Sequence, residues 1–184
     1  MYRIGVFVDI QNLFHTARIL WPDKKINYRV LHQFCLDARA HKPQPNQVLF
    51  HAFTAVNPED KGQDQFVRAL AHLGYRVVTR PVRRLPDGGL KGNMDLVLAI
   101  EIIRMAPALD EIVLVTGDGD FAPLVEYLVQ EGKLVKIIGP GRLTAQELIL
   151  GAHRYWSLDD IEGLLVDESE TFEAPRVEPE LFWG

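Results

Sequence analysis

Two runs of this sequence, IGVFVD (Ile4–Asp9) and EIVLVTGDGDF (Glu111–Phe121), carry apolar residues almost unbroken into aspartate. A strand with no polar alternation must be covered on both faces, the condition met by a parallel sheet held between helices. The rest of the chain repeats the theme. Short β-rich runs at Tyr2–Val8, Gln47–Phe53, Tyr75–Arg80, Glu111–Thr116 and Leu134–Ile138 alternate with segments whose apolar residues recur at helical spacing. Those segments predict helices over Gln11–Leu20, Tyr28–Ala40, Asp60–Leu73, Asn93–Met105, Phe121–Glu131, Thr144–Leu150 and Leu158–Leu165. Strand and helix in alternation imply crossover units, hence an α/β fold on a mostly parallel sheet of about five strands. Trp21-Pro22-Asp23, His41-Lys42-Pro43, Pro86-Asp87-Gly88-Gly89 and Gly139-Pro140-Gly141 punctuate the periodic segments, and Gly74 and Gly132 are placed to cap helix C-termini.

With 184 residues, 47% of them hydrophobic, the chain has enough apolar material for one self-sufficient core, expected over residues 1–166. From Asp167 to Gly184 it turns acidic and proline-containing, which predicts a flexible tail. No apolar run approaches the roughly 18 residues a membrane span needs. The start, MYRIGVFVDIQNLF, has an early acid and no cleavage-type small residues, so a cytoplasmic protein is expected. The single cysteine, Cys35, excludes an internal disulfide and reads as a small buried hydrophobe. The six histidines lack the paired spacing of a zinc site, so any metal should be held by oxygen.

The formal net charge of −5 is unevenly spread. The tail holds six acids and one arginine, a net −5 that equals the charge of the whole chain, so the body is neutral. Within the body, Arg76, Arg80, Arg83, Arg84 and Lys91 face only Asp87 between residues 76 and 92. That local excess of cations suits a phosphate backbone, although a solvated charged loop would read the same way.

In open α/β sheets functional groups gather beyond the carboxyl ends of the strands. Asp9 ends one buried strand, and Asp118 and Asp120 follow another through a turn punctuated by Gly117 and Gly119, which are expected to permit a tight turn and close approach of substrate. Carboxylates brought that close raise one another's pKa unless a cation is shared, so a divalent metal is the simplest account of the cluster. Asp95 opens a strongly apolar helix after the basic loop and can join them, or can serve as a plain helix N-terminal acid. Asp120 is divided between metal work and capping the next helix, and Asn12 between capping the first helix and orienting a water or phosphate. Thr116, at a strand end, is positioned to bond an acid or water. Glu101 lies six residues beyond Asp95, too far round the helix to share one ion, and pairs more naturally with Arg104.

These residues resemble a known family, the NYN domains, particularly their LabA-like branch within the PIN-like nuclease group. The resemblance spans about residues 2–139. It rests on an apolar strand ending D-x-x-N (Asp9, Asn12), the KGxxD element from Lys91 to Asp95, the signature TGDGDFAPLV from Thr116 to Val125, and GKLVKIIG from Gly132 to Gly139. It implies a Rossmann-like three-layer sandwich and metal-dependent cleavage of nucleic acid, RNA above all. Asp9, Asp95, Asp118 and Asp120 would hold Mg²⁺ or Mn²⁺ and carry catalysis. Asn12, Thr116 and Lys91 would contact substrate, and Arg80, Arg83 and Arg84 would track its backbone. Two alternatives stay open: a non-catalytic nucleic-acid- or protein-binding module on the same scaffold, and a metal-dependent phosphoesterase acting on a small ester. Oligomeric state is open as well, a homodimer included.

Overall fold

The structure, a computed structural model, describes residues 1–37, 45–57, 59–84, 90–91 and 94–167; of Arg83, Arg84, Leu90 and Lys91 it describes the backbone. The chain runs through β1 (Arg3–Asp9), α1 (Ile10–Leu20), β2 (Lys24–Ile26), α2 (Tyr28–Leu36), β3 (Gln47–Val56), α3 (Lys61–His72), β4 (Arg76–Pro81), β5 (Arg83–Arg84) and β6 (Leu90–Lys91). It continues through α4 (Asp95–Met105), β7 (Glu111–Val115), α5 (Ala122–Gln130), β8 (Leu134–Gly139), α6 (Gln146–Gly151), β9 (Arg154–Ser157) and β10 (Leu165–Asp167).

Six strands form one sheet in the order β4-β3-β1-β7-β8-β9, every neighbouring pair parallel. From β1 the chain builds outward through β3 to β4, crosses back to β7, then builds the other way through β8 to β9. The winding therefore reverses between β1 and β7, and the crevice beyond the carboxyl ends of such a strand pair is where open sheets bind ligands. Val8 is level with Val115, so Asp9 stands beside Thr116 at that opening.

Burial on both faces explains the unbroken apolar runs. On one side Ile4, Val6 and Val8 of β1 pack with Leu13 and Ala17 of α1 and Leu31 and Cys35 of α2. On the other, Phe7 packs with Leu98 and Ile102 of α4 and Leu124 and Leu128 of α5. Each fully buried aliphatic or aromatic side chain stabilises the fold by about 1.5–3 kcal/mol. Gly74 (φ 96°) and Gly132 (φ 74°) end α3 and α5 in the left-handed conformation, as helix-capping glycines do.

One ion pair lies inside the first core. Lys136 Nζ is 2.7 Å from Glu111 Oε1, and the Tyr2 hydroxyl donates to Glu111 Oε2 at 2.9 Å. Removing the ammonium alone strands a carboxylate that has no exposure to water. Lys136→Met is therefore expected to cost about 3–5 kcal/mol, and the double substitution Glu111→Leu/Lys136→Met to recover most of that loss. Urea denaturation of the three proteins measures both.

The five expected strands are present to within about three residues, a margin typical of element ends. The sixth, β9, is short, has a half-buried edge sequence (RYWS) and carries no continuous apolar signal. The helix expected over Leu158–Leu165 is replaced by a single turn, Leu158–Asp160, and by β10, which pairs antiparallel with β2. Leu158, Ile161 and Leu164 are buried at threefold spacing, which serves a turn as well as a helix, and Gly163 at φ 74° breaks the helix. The second helix ends at Leu36, short of the end expected at Ala40, because Asp37 turns to an extended conformation. The expected start of the fourth helix at Asn93, the turns at His41–Pro43 and Pro86–Gly89, and the tail beyond Asp167 lie outside the described residues. Among the described residues no helix is long and apolar enough to cross a membrane.

Candidate functional site at the carboxyl end of the sheet

Asp9 is 2% exposed, the last residue of β1 and the N-cap of α1. Its Oδ1 accepts the Asn12 backbone N–H at 3.1 Å, and its Oδ2 accepts the Thr116 hydroxyl at 3.1 Å. Burial pushes its carboxyl up to about 6 against an ordinary 3.8; the two hydrogen bonds pull back, and the charges of Asp95 and Asp118 push further up. The capping role considered for Asn12 thus belongs to Asp9. The Asn12 side chain instead reaches across the reversal, where its Oδ1 accepts the Gly117 N–H at 2.9 Å.

Thr116 is the pivot of the turn after β7. Its hydroxyl donates to Asp9 and accepts the Asp118 N–H at 3.2 Å. Asp118 Oδ1 then accepts the Asp120 N–H at 3.0 Å and caps the short 3₁₀ turn Gly119–Phe121. The cap considered for Asp120 is therefore supplied by Asp118, and α5 begins with no side-chain cap. Asp120 is exposed at the rim. The glycines have a different use from a left-handed turn. A Cβ on Gly117 would come within 2.8 Å of Pro140 Cδ and 2.9 Å of the Leu143 carbonyl, and one on Gly119 within 3.0 Å of Ala145 Cβ. It is the protein's own loop after β8 that approaches this closely.

Asp95 begins α4, half-buried, within electrostatic reach of Asp9. Glu101 turns elsewhere. A hydrogen bond from Arg76, helped by the charge of that arginine and of Arg104, holds its carboxyl below the usual range, and Arg104 Nη1 lies 3.8 Å away. Because Arg76 and Arg104 are largely exposed, Glu101→Gln is expected to change stability by no more than about 1 kcal/mol and to leave any metal-dependent cleavage at the wild-type rate. A thermal melt alongside a cleavage assay checks this, and a large loss of rate would place Glu101 in the site after all.

Arg80 is exposed at the end of β4 and donates to the Thr79 carbonyl at 2.9 Å. The backbones of Arg83 and Lys91 pair in a two-stranded ribbon, with Arg84 opposite Leu90; their side chains lie outside the described residues. Two neighbours escaped the sequence reading. Glu147, in the first turn of α6, puts a carboxylate oxygen 4.0 Å from the Cβ position of Gly119. Tyr28 of α2 is buried beside Asp9, whose charge adds to burial in raising the phenol's pKa. Neither stands at a spacing that sequence alone connects with Asp9 or Asp118.

The donor set is all oxygen. Among the described residues no group of three or more Asp, Glu, His or Cys side chains is placed to hold a metal ion. Asp9, Asp95 and Asp118 share an electrostatic neighbourhood, and the buried Asp9 carboxylate retains lone pairs beyond the two it uses. This open arrangement fits an ion that keeps several waters and takes only one or two carboxylates directly, as Mg²⁺ does.

Comparison with known proteins agrees with the fold and the family resemblance. A family model described as the NYN domain matches residues 3–159. The low amplitude and bright protein LabA of Synechococcus elongatus is 27% identical over 191 residues, spanning 96% of this chain and 96% of that protein. A crystal structure of a Vibrio parahaemolyticus protein of unknown function matches with a TM-score of 0.77 at 31% identity, covering 90% of this chain and 96% of that one. The family match takes in every strand of the main sheet and both walls of the crevice: on a nuclease-type scaffold of the PIN-like kind, the chain belongs to the NYN domain family.

Proposed function

We propose that this protein is a metal-dependent nuclease that hydrolyses phosphodiester bonds, with RNA as its substrate and Mg²⁺ or Mn²⁺ as its cofactor. The observation that carries the reading is the position of Asp9: a buried carboxylate at the reversal of the sheet, raised to about 6, with Asp95 and Asp118 as its charged neighbours. A carboxylate so placed is stabilised in its ionised form by a cation. Asp9, Asp95 and Asp118 would hold the ion, with Asp120 joining through water from the rim. The bound ion supplies Lewis-acid activation of water and neutralises charge at the phosphate.

The remaining work falls to the chain itself. Asn12 and Thr116 tie the end of β1 to the turn after β7, which keeps Asp9 and Asp118 at a fixed separation without reorganisation during the reaction. Lys91 contacts the scissile phosphate, and Arg80, Arg83 and Arg84 engage the backbone on either side, offsetting the repulsion between an acidic pocket and a polyanion. In this reading the protein acts in the cytoplasm.

The test is incubation with end-labelled single- and double-stranded RNA and DNA in Mg²⁺, Mn²⁺ or chelator. Cleavage of RNA with either metal and none with chelator is the expected result. Cleavage that survives chelator overturns the mechanism. Binding without cleavage in every condition favours a regulatory module, and hydrolysis of a phosphomonoester alone favours a small-ester phosphoesterase.

A further inference from the structure

The outer surface of α1 presents a side chain that neither the core nor the acidic site uses. Ile10, Leu13 and Ala17 complete the buried face of this helix, yet Phe14 stays 54% exposed. The Arg18 guanidinium lies 5.4 Å from the Phe14 ring centroid, and the His15 ring meets it edge-on at 5.9 Å. Phenylalanine is an ordinary helix former with no advantage at a wet position. An aromatic ring flanked by a cation and an imidazole has the composition of a base-stacking surface.

Its position relative to the site is specific. Asp9 caps α1, and Phe14 follows five residues on, about 7 Å along the axis. That rise equals roughly two steps of a stacked strand. Asn12 faces β7 through its bond to Gly117, and Phe14 is about 200° further round the helix, so it turns to the opposite flank. α1 packs against β3 through its buried face, and beyond β3 lies β4, the strand that ends in the Arg80 region. A strand that leaves the Asp9–Asp118 crevice on the side of α1 away from Asn12 would meet Phe14 within about two nucleotides.

We propose that Phe14, braced by Arg18, is a stacking platform for an unpaired base of a single-stranded nucleic acid whose phosphate is held at the acidic sheet end. The inference rests on the nuclease reading for the location of that phosphate. A base stacks on the face of the ring that Arg18 leaves open, and the guanidinium faces the flanking backbone. A duplex keeps its bases internally stacked and gains nothing from the platform.

Binding of labelled single-stranded RNA, single-stranded DNA and the matching duplexes is measured by fluorescence anisotropy with Ca²⁺ in place of Mg²⁺, so that a divalent cation is present at the acidic end, beside Mg²⁺-dependent cleavage of the same strands. Phe14→Ala is expected to weaken single-strand binding about tenfold or more, Phe14→Tyr to retain it, and neither to change duplex binding. Equal responses of RNA and DNA mark a platform for the base face alone; loss confined to one sugar type identifies its substrate. Because Phe14 is exposed, thermal melts of both variants should match the wild type.

Single-strand binding by Phe14→Ala at wild-type strength overturns the platform, as does equal weakening of single strands and duplexes, or no nucleic-acid binding by the wild type. The two readings fail separately. Wild-type cleavage with unchanged Phe14→Ala binding leaves the nuclease and removes the platform, whereas Phe14-dependent binding without cleavage leaves the platform and removes the nuclease.

Discussion

Replacing Asp118 by asparagine is expected to lower metal-dependent cleavage by about 10³-fold while leaving the fold intact. Metal activation of this kind contributes several kcal/mol, and about 4 kcal/mol corresponds to three powers of ten in rate. Asparagine keeps the shape of the side chain and an oxygen that accepts the Asp120 N–H, which Asp118 Oδ1 now accepts at 3.0 Å. Asparagine and aspartate cap helical turns about equally well, so the thermal midpoint should hardly move. Asp118→Ala separates the two roles, since it loses the cap as well, at about 0.5–2 kcal/mol. Single-turnover rates with Mg²⁺ and melts of the three proteins decide the matter; an Asp118→Asn protein that cleaves at the wild-type rate ends the case for Asp118 as a ligand.

The effect is read more cleanly at Asp118 than elsewhere because its surroundings are short-range and local. β1 and β7 were legible as buried parallel strands from their lack of alternation alone, and the acids at their ends followed from where such strands terminate. The side-chain roles between them were not. Asn12 and Asp120 both stand at capping positions by spacing, and so, three and two residues earlier, do Asp9 and Asp118. Only the geometry shows that Asp9 and Asp118 take the caps, while Asn12 is spent on Gly117 across the sheet reversal. That bond spans 105 positions, a separation over which no periodicity carries information. Gly117 and Gly119 were recognisable as necessary glycines, yet the atoms that need the space, Pro140, the Leu143 carbonyl and Ala145, belong to a loop whose approach depends on β8 lying beside β7. β9 stayed invisible for a related reason: a short edge strand owes its existence to the partner it finds.

Asp9→Asn should reverse the usual expectation for a residue at the heart of a site, raising stability while abolishing function. The folded-state pKa of Asp9, about 6, lies above its ordinary 3.8, so between those values the folded protein binds the extra proton and the unfolded chain does not. Stability supplied by the protonated carboxyl is therefore full below about pH 4, is lost as pH rises toward 6, and stays lost above it. Integrated over that window the loss is at most about 3 kcal/mol, since each pKa unit is worth about 1.4. The asparagine amide carries no charge to desolvate. Its oxygen accepts the Asn12 N–H as Oδ1 does now, and its NH₂ group donates to the Thr116 oxygen, whose own proton then gives up its bond to residue 9, a loss of about 1 kcal/mol that offsets part of the gain. Without divalent cation at pH 8 the variant should melt about 3–8 °C above the wild type, and at pH 4 the two should coincide. Saturating Mg²⁺ should raise the wild-type midpoint by mass action and leave the variant unmoved, narrowing or inverting the gap. Melting curves at both pH values, with chelator and with Mg²⁺, carry the whole comparison. A variant that is less stable at pH 8 in chelator would mean that Asp9 is held by its hydrogen bonds more strongly than burial opposes it, and the drive for a cation at this site would disappear with that result.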